Sequence, residues 1–525
     1  MKRIVMLLLC VCLLFTACTG GKQESSGTVE NLDAYPIETD VTLTYFRNPP
    51  ASLTTMVSNY GETNFAKEFT KRTGVNIEYI QPASGQLAEA FNLMIASGEY
   101  ADIMEVNWSS LYAGGPTKAI NDGVIIPLNE YKEYMPALSA ILEGNEAYKR
   151  QITTDEGQLY GFPLIQSSPK LVSTAGPTIR KDWIEELGLK MPETVEDWEN
   201  MLTAFKEKKG AAAPLSFNYE TGSYYMFTLL EAVPEMYIDN GKVKFGPIEP
   251  EYKEALETLS RWYKKGLLDK NIVAIDDKML GSQLLNGETG ASFLSGGRQI
   301  GQFMVSGVQK DEKFELAGVR YPAKESGKMN AYIPVSYPVG LSSVSAISAQ
   351  SEYPQLAAKV LDYAYTEEGQ LFSNFGVEGD TYTMVDGKPV YTEKITKNTE
   401  GLSMSQMLAM NVKAGSGGSF VVSEEYLNQY YQLPQQKSAL DEWVKGYDES
   451  MKHRIPNVTP STDESSEYAS IMNEVNKYVN QMITKFIMGV ESFENYDAFI
   501  KQIEKLNIKR AVEIQQSAYE RYMKR

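Results

Sequence analysis

Apolar residues alternate with polar ones in "VTLTYF" (Val41 to Phe46), the period of a strand with one buried face. In "NFAKEFTKRTG" the period changes: Phe65 and Phe69 stand one helical turn apart, and Gly74 supplies the stop. "VNIEYI" predicts a second strand. "GQLAEAFNLMIASG" predicts a helix with Leu87, Phe91, Met94 and Ile95 on one face and Gly98 after it, and "ADIMEVN" a third strand. Strand, helix, strand, helix, strand with short connections predicts a parallel sheet covered by helices, because parallel neighbours need a crossover.

A second block has its own turn chemistry. "RKDWIEELGL" is an amphipathic helix closed by Gly188. In "MPETVEDWENMLTAFKEKKG", Thr194 is the expected N-cap with Asp197 three residues on, a capping box with Asp in place of Glu. "EYKEALETLSRWYKKGLL" carries Tyr252, Leu256, Leu259 and Tyr263 at helical spacing, and "KMLGSQLLNGETGASFLSGG" predicts helix, turn at Gly287, then strand. From about Pro354 the pattern is mostly helical to the end. One stripe there runs through Ile471, Val475, Tyr478, Val479, Met482 and Phe486, another through Phe499, Ile503 and Leu506. There is no fixed-period repeat.

The first residues follow a different pattern. Lys2 and Arg3 precede an apolar run from Ile4 to Phe15, then Thr16 and Ala17, the layout of a secretory signal peptide; the run is short of the roughly 20 residues that span a bilayer. Cys18 follows directly and resembles the lipidated cysteine of the bacterial lipoprotein lipobox, although Phe15 and Thr16 stand where Leu and Ala or Ser are more usual. The alternative is an ordinary signal peptide with an incidental cysteine. We therefore expect a signal peptide over 1–17 and a lipidated, Gly/Ser/Thr/Lys/Glu-rich flexible tether over 18–39.

Cys10, Cys12 and Cys18 are all the cysteines in 525 residues, so a chain cleaved before Cys18 forms no internal disulfide. Its stability must come from cores, and at this length from two or more domains. The formal net charge of −18 argues against nucleic acid or an anionic lipid surface as partner. The single histidine, His453 in "MKHRIPN", leaves no material for a Ser-His-Asp triad, a Cys-His dyad or a His-rich zinc site, and its bland role is a solvated helix end. G-x-S-x-G, P-loop and G-x-G-x-x-G patterns are also missing from the sequence, and no cofactor is expected.

The pieces "FAKEFTKRTGVNIEYI", "MIASGEYADIMEVNW", "NDGVIIPLNEY", "GFPLIQ", "TIRKDWIEELGLKMPETVEDW", "LLNGETGASFLSGG", "LDYAYTEEGQLFSNFGVEGDTY" and "FIMGVESFENYDAFIKQIEKLNI" span nearly all the chain after the tether. Together they resemble extracellular solute-binding family 1, in particular the large, lipid-anchored carbohydrate-binding branch of ABC importers found in Firmicutes. The resemblance implies an α/β, two-lobe periplasmic-binding-protein-like fold of type II, with parallel or mixed sheets flanked by helices and a helical C-terminal region. It implies chain crossings near Phe162 to Gln166 and near Ala331 to Tyr337, lobe 1 over 40–165 plus 335–400, and lobe 2 over 166–334 plus 401–525. It also implies a monomer that captures an oligosaccharide between the lobes and delivers it to permease subunits. Many members carry a calcium loop where this chain reads "KKGAAAPLSF". That stretch has no carboxylate between Lys208 and Phe217, so no Ca²⁺ is expected there.

Sugars present an apolar C–H face and a rim of hydroxyls, which suit aromatic platforms beside Asp, Glu, Asn and Arg. Ligands in open α/β sheets bind beyond the carboxyl ends of strands. With the resemblance, this nominates Asn107 and Trp108 after "ADIMEV", Arg180 and Trp183 in "TIRKDW", Tyr224 and Tyr225 in "SYYMF", and Arg298 after "GASFLSGG". Tyr337 near the return crossing and Glu378 with Tyr382 in "FGVEGDTY" complete the expected contacts. For each the competing role is structural: loop packing for Trp108, a salt bridge to a neighbouring helix for Arg180, core for Trp183, a loop carboxylate for Glu378. Two other functions compete, an extracellular glycoside hydrolase and a surface lipoprotein without a transport role. The 68 acidic residues offer carboxylate pairs everywhere, and no local pattern selects a catalytic one.

Overall fold

The computed structural model describes residues 31–50, 53–398 and 401–525. The expected signal peptide, Cys18 and most of the tether lie outside them. One sheet has six strands in the order Val421–Val422, Phe162–Gln166, Val339–Ile347, Ile103–Val106, Thr42–Arg47, Asn76–Ile80. Val339–Ile347 runs antiparallel between its two neighbours, and the other pairings are parallel. The strand-helix alternation of the first hundred residues is therefore realised as expected. Helix Asn64–Thr73 starts on the Thr63 side chain, stops at Gly74 in the left-handed region, and buries Phe65, Ala66 and Phe69.

The second sheet has Ala175–Arg180 at its centre, antiparallel to Ala291–Ser295 and to Leu316–Gly318. Helix Val195–Lys209 begins with the reciprocal Thr194–Asp197 capping box. Helix Pro250–Lys265 buries Tyr252, Leu256 and Leu259 as its spacing predicts, but Trp262 takes the buried edge and Tyr263 is only half covered. The C-terminal helices Thr462–Met488, Tyr496–Lys505 and Ile508–Tyr522 pack their apolar stripes onto this second core. Helix Val195–Lys209 ends at Gly210, and the run that follows buries Ala211, Ala213, Leu215 and Phe217.

Two features depart from the helical pattern after Pro354. Tyr382–Val385 and Lys388–Tyr391 form a hairpin whose Asp386-Gly387 turn has positive φ at both residues, the geometry Asp-Gly favours. Val421–Val422 pairs with Phe162–Gln166, while Met407, Leu408 and Val412 pack with Phe375, Tyr382, Tyr391 and Ile395. The stretch 401–422 thus joins the first sheet, not the second lobe to which 401–525 was assigned.

Three chain segments leave the first sheet at one edge: after Gln166, before Val339 and after Val422. Strand direction makes the edge the same one, since Phe162–Gln166 and Val421–Val422 run parallel to Thr42–Arg47 whereas Val339–Ile347 runs against them. The second sheet therefore hangs beyond the carboxyl ends of the first sheet's parallel strands. The third segment continues into helix Pro434–Trp443, whose Trp443 Nε1 donates to the Pro177 carbonyl at 3.0 Å. That indole lies against Gly176, where a Cβ would come within 2.6 Å of the ring.

Candidate functional site

On the second sheet Ser295 pairs with Ala175, so the end of strand Ala291–Ser295 sits beside the crossing and faces the gap between the sheets. Three helical starts converge there. Asn218 caps Tyr219–Leu229, Asp276 caps Asp277–Leu285, and Ser295 caps the turn Gly296–Ile300. Side chains tie them together through Asp277. Its Oδ1 accepts from Asn218 Nδ2 at 3.0 Å and from Gln299 Nε2 at 3.3 Å, and its Oδ2 meets Arg298 Nη2 at 2.5 Å. Asn218 and Arg298 hold the Asp277 carboxyl below its ordinary range despite partial burial.

Aromatic faces flank this polar wall. Tyr225, half-buried, stacks on Phe293 with centroids 5.8 Å apart, and Phe293 meets Phe217 beside Asn218. Tyr430, also half-buried, comes from the third crossing segment; it stacks on Tyr426 at 5.9 Å and lies over Gly297, where a Cβ would sit 3.1 Å from its ring. A wall with partly open tyrosine faces beside an Asn, an Asp and an Arg can grip a sugar through both its C–H face and its hydroxyls.

The first sheet's contribution is charged. Arg47 ends its strand and Glu105 stands opposite it in register, with Arg47 Nη2 and Glu105 Oε1 3.6 Å apart and both side chains buried. Tyr45 Oη donates to Glu105 Oε2 at 2.6 Å, and Ser345 Oγ donates to it at 3.2 Å. The Arg47 guanidinium stacks over Tyr60 at 3.9 Å and donates to the Ser416 carbonyl at 3.2 Å. Burial works against the Glu105 charge, but the cations beside it hold its carboxyl below the ordinary range.

The expected contacts divide into two groups. Arg298 and Tyr225 stand on the wall just described. Asn107 is at the strand end but its side chain is used as a cap, accepting from Ser110 N at 3.1 Å. Trp108 is not a platform: it is 1 % exposed, set edge-on to Phe91 at 5.7 Å, and its Nε1 donates to the Val344 carbonyl at 3.1 Å. Arg180 lies at the far end of its strand from the crossing, about 17 Å away at the usual rise. It is buried, forked onto Asp182 at 2.8 and 2.6 Å, and stacked on Trp183 and Phe314. Trp183 is core, edge-on to Phe205 at 5.1 Å.

Tyr224 donates to Glu235 at 3.1 Å and receives Arg454 Nη1 at 3.3 Å, while Tyr337 donates to the Arg454 carbonyl at 3.0 Å. Tyr224 therefore ties helix Tyr219–Leu229, and Tyr337 the return crossing, to the 447–454 segment. Tyr382 is buried against Phe375, and Glu378 is exposed beside the hairpin. Asn218, Asp277 and Tyr430 were not foreseen. Asn218 is an N-cap and Asp277 an acidic first-turn residue just after the Asp276 cap, helix-start signatures that the sequence does show. Among the described residues no cluster of His, Cys, Asp and Glu has the makings of a metal site.

Two α/β bodies joined by crossings at one sheet edge, with polar helix starts around the gap, define a two-lobe binding-protein fold of type II. The chain belongs to the bacterial extracellular solute-binding protein family, whose model matches residues 55–371. It is 23 % identical, over 98 % of its length and 97 % of the relative's, to the fructooligosaccharide ABC transporter substrate-binding protein FusA of Streptococcus pneumoniae. It is 26 % identical to Lipoprotein LipO of Bacillus subtilis over 65 % of this chain and 69 % of LipO. Among solved structures, a human-milk-oligosaccharide-binding protein of Bifidobacterium longum infantis superposes with a TM-score of 0.71 at 19 % identity, covering 92 % of this chain and 99 % of that one. The S. pneumoniae FusA complex with kestose superposes with a TM-score of 0.68 at 22 % identity, over 92 % and 99 % of the two chains.

Proposed function

We propose that this protein is the lipid-anchored, extracellular solute-binding component of an ABC importer, capturing an oligosaccharide between its lobes and delivering it to the permease. One lobe comprises 40–165, 335–400 and 401–422; the other comprises 166–334 and the rest of the C-terminal region. The observation that carries the reading is the shared edge of the three crossings, which sets the Asn218–Asp277–Arg298 wall and the faces of Tyr225 and Tyr430 opposite the carboxyl ends of the first sheet. A sugar touching both walls stabilises the closed arrangement by its differential affinity, and the permease reads that arrangement. No bond is made or broken, and a separate subunit hydrolyses ATP. Relatives named for fructooligosaccharide and milk-oligosaccharide binding support the choice of ligand class.

The anchor is Cys18, whose acyl chains hold the monomer at the outer face of the cell membrane, two or more chains being needed for stable tethering. Mass spectrometry of the mature N-terminus should find it lipidated, and Cys18→Ser should release the protein into the medium. For the ligand, a thermal-shift panel of plant and host oligosaccharides should give a binder. Calorimetry with that sugar should then lose about tenfold or more in affinity for Tyr225→Ala, Tyr430→Ala and Arg298→Ala. Unchanged affinity in all three variants, or cleavage of the sugar, refutes the reading.

A further inference from the structure

The turn from Lys413 to Gly418 closes over the buried Arg47–Glu105 pair. Ser416 N and Gly417 N donate to the Lys413 carbonyl at 2.8 Å, and the Ser416 and Gly417 carbonyls accept from Arg47 at 3.2 and 3.4 Å. Gly418 sits against the Glu105 carboxylate, where a Cβ would come within 2.7 Å of Oε2. The Lys413 side chain enters the same charge cluster and is 5 % exposed, yet its ammonium makes no hydrogen bond or ion pair with any described residue. Arg47 Nε is sealed and unpartnered among the described residues. Two cations thus share one carboxylate at the edge of the first sheet that faces the second lobe. Burial pushes the Lys413 amine down to about 8, with Glu105 holding it from falling further. A cation 95 % enclosed that shares its carboxylate with Arg47 and has no direct hydrogen bond among the described residues is one that a ligand anion can complete.

Resting on the oligosaccharide reading above, we propose that the cleft takes a uronate-containing oligosaccharide, with one ligand carboxylate seated on Lys413. The remaining sugar rings then reach the Tyr225, Tyr430 and Arg298 wall across the gap. The net charge of −18 repels an acidic ligand at long range, so the local positive excess at Lys413 would act over contact distance and set specificity more than speed of encounter.

The test is calorimetry with a panel of uronate oligosaccharides, each paired with its fully methyl-esterified form, and with neutral oligosaccharides of similar length. At least one free acid should bind about ten- to a hundredfold more tightly than its ester, the range for one charge-assisted hydrogen bond. Lys413→Met should erase that preference while leaving ester affinity unchanged, and the retained ester binding shows that the variant is folded. A protein that binds a neutral sugar and no uronate overturns the inference and leaves the oligosaccharide reading standing. An acid preference that survives in Lys413→Met also overturns it. Binding of neither class overturns both.

Discussion

Replacing Lys413 by methionine should stabilise the unliganded protein. The Lys413 amine falls from 10.5 to about 8 on folding. At about 1.4 kcal/mol per unit, keeping the ammonium charged in its enclosure costs about 3 kcal/mol. The sign follows from proton counting. Between pH 8 and 10.5 the unfolded chain binds more protons at this site than the folded one, so wild-type stability rises with pH across that window, and the cost is felt in full below pH 8. Methionine keeps the volume of the stem and carries no charge. Urea unfolding followed by circular dichroism, at steps from pH 7 to 10 for both proteins, isolates the lysine because titrations common to the two cancel. Lys413→Met should be the more stable by up to about 3 kcal/mol at pH 7, with the gap closing toward pH 10. A variant less stable than wild type at pH 7, or a gap that does not change with pH, refutes the reasoning.

Two further substitutions separate packing from binding. Trp108→Ala should cost about 3–5 kcal/mol of stability in a denaturant titration, as truncating an enclosed indole does; a variant of undiminished stability but weakened sugar affinity would restore the stacking role. Gly176→Ala should lower the melting temperature, with a cost of about 1–3 kcal/mol, because the Trp443 ring 2.6 Å from the new methyl is held by its bond to the Pro177 carbonyl. An unchanged calorimetric melting curve would show that the ring can yield.

What the sequence made legible, and what it hid, sorts by the range of the signal. Local period and capping chemistry gave the first three strands, the Gly74 stop and the Thr194–Asp197 box, since these depend on residues within a turn of one another. The family resemblance gave the two-lobe architecture. The hairpin around Asp386-Gly387 was readable from its turn residues but was masked by the helical stretches on either side. The pairing of Val421–Val422 with Phe162–Gln166 spans some 250 positions and carries no local trace. At the site, Trp108 and Arg180 share one difficulty. A residue at a strand end can turn toward the gap or into the lobe, and only the packed structure shows Phe91 and Val344 claiming the indole, or Asp182 claiming the guanidinium. Lys413 was invisible because its neighbours Arg47 and Glu105 are hundreds of positions away.

All five tryptophans, Trp108, Trp183, Trp198, Trp262 and Trp443, are buried. Trp108, Trp183, Trp198 and Trp262 emit from packing inside a lobe, so native fluorescence will follow unfolding faithfully and leave ligand capture to one indole of five, Trp443, which lies against Gly176 and Gly296 at the crossing. The opposite holds for an added dye. With every cysteine confined to the first eighteen positions, a single cysteine placed on the rim of the gap in a chain beginning after Cys18 would be the only thiol to label, which makes this scaffold well suited to conversion into an optical sensor for its own ligand.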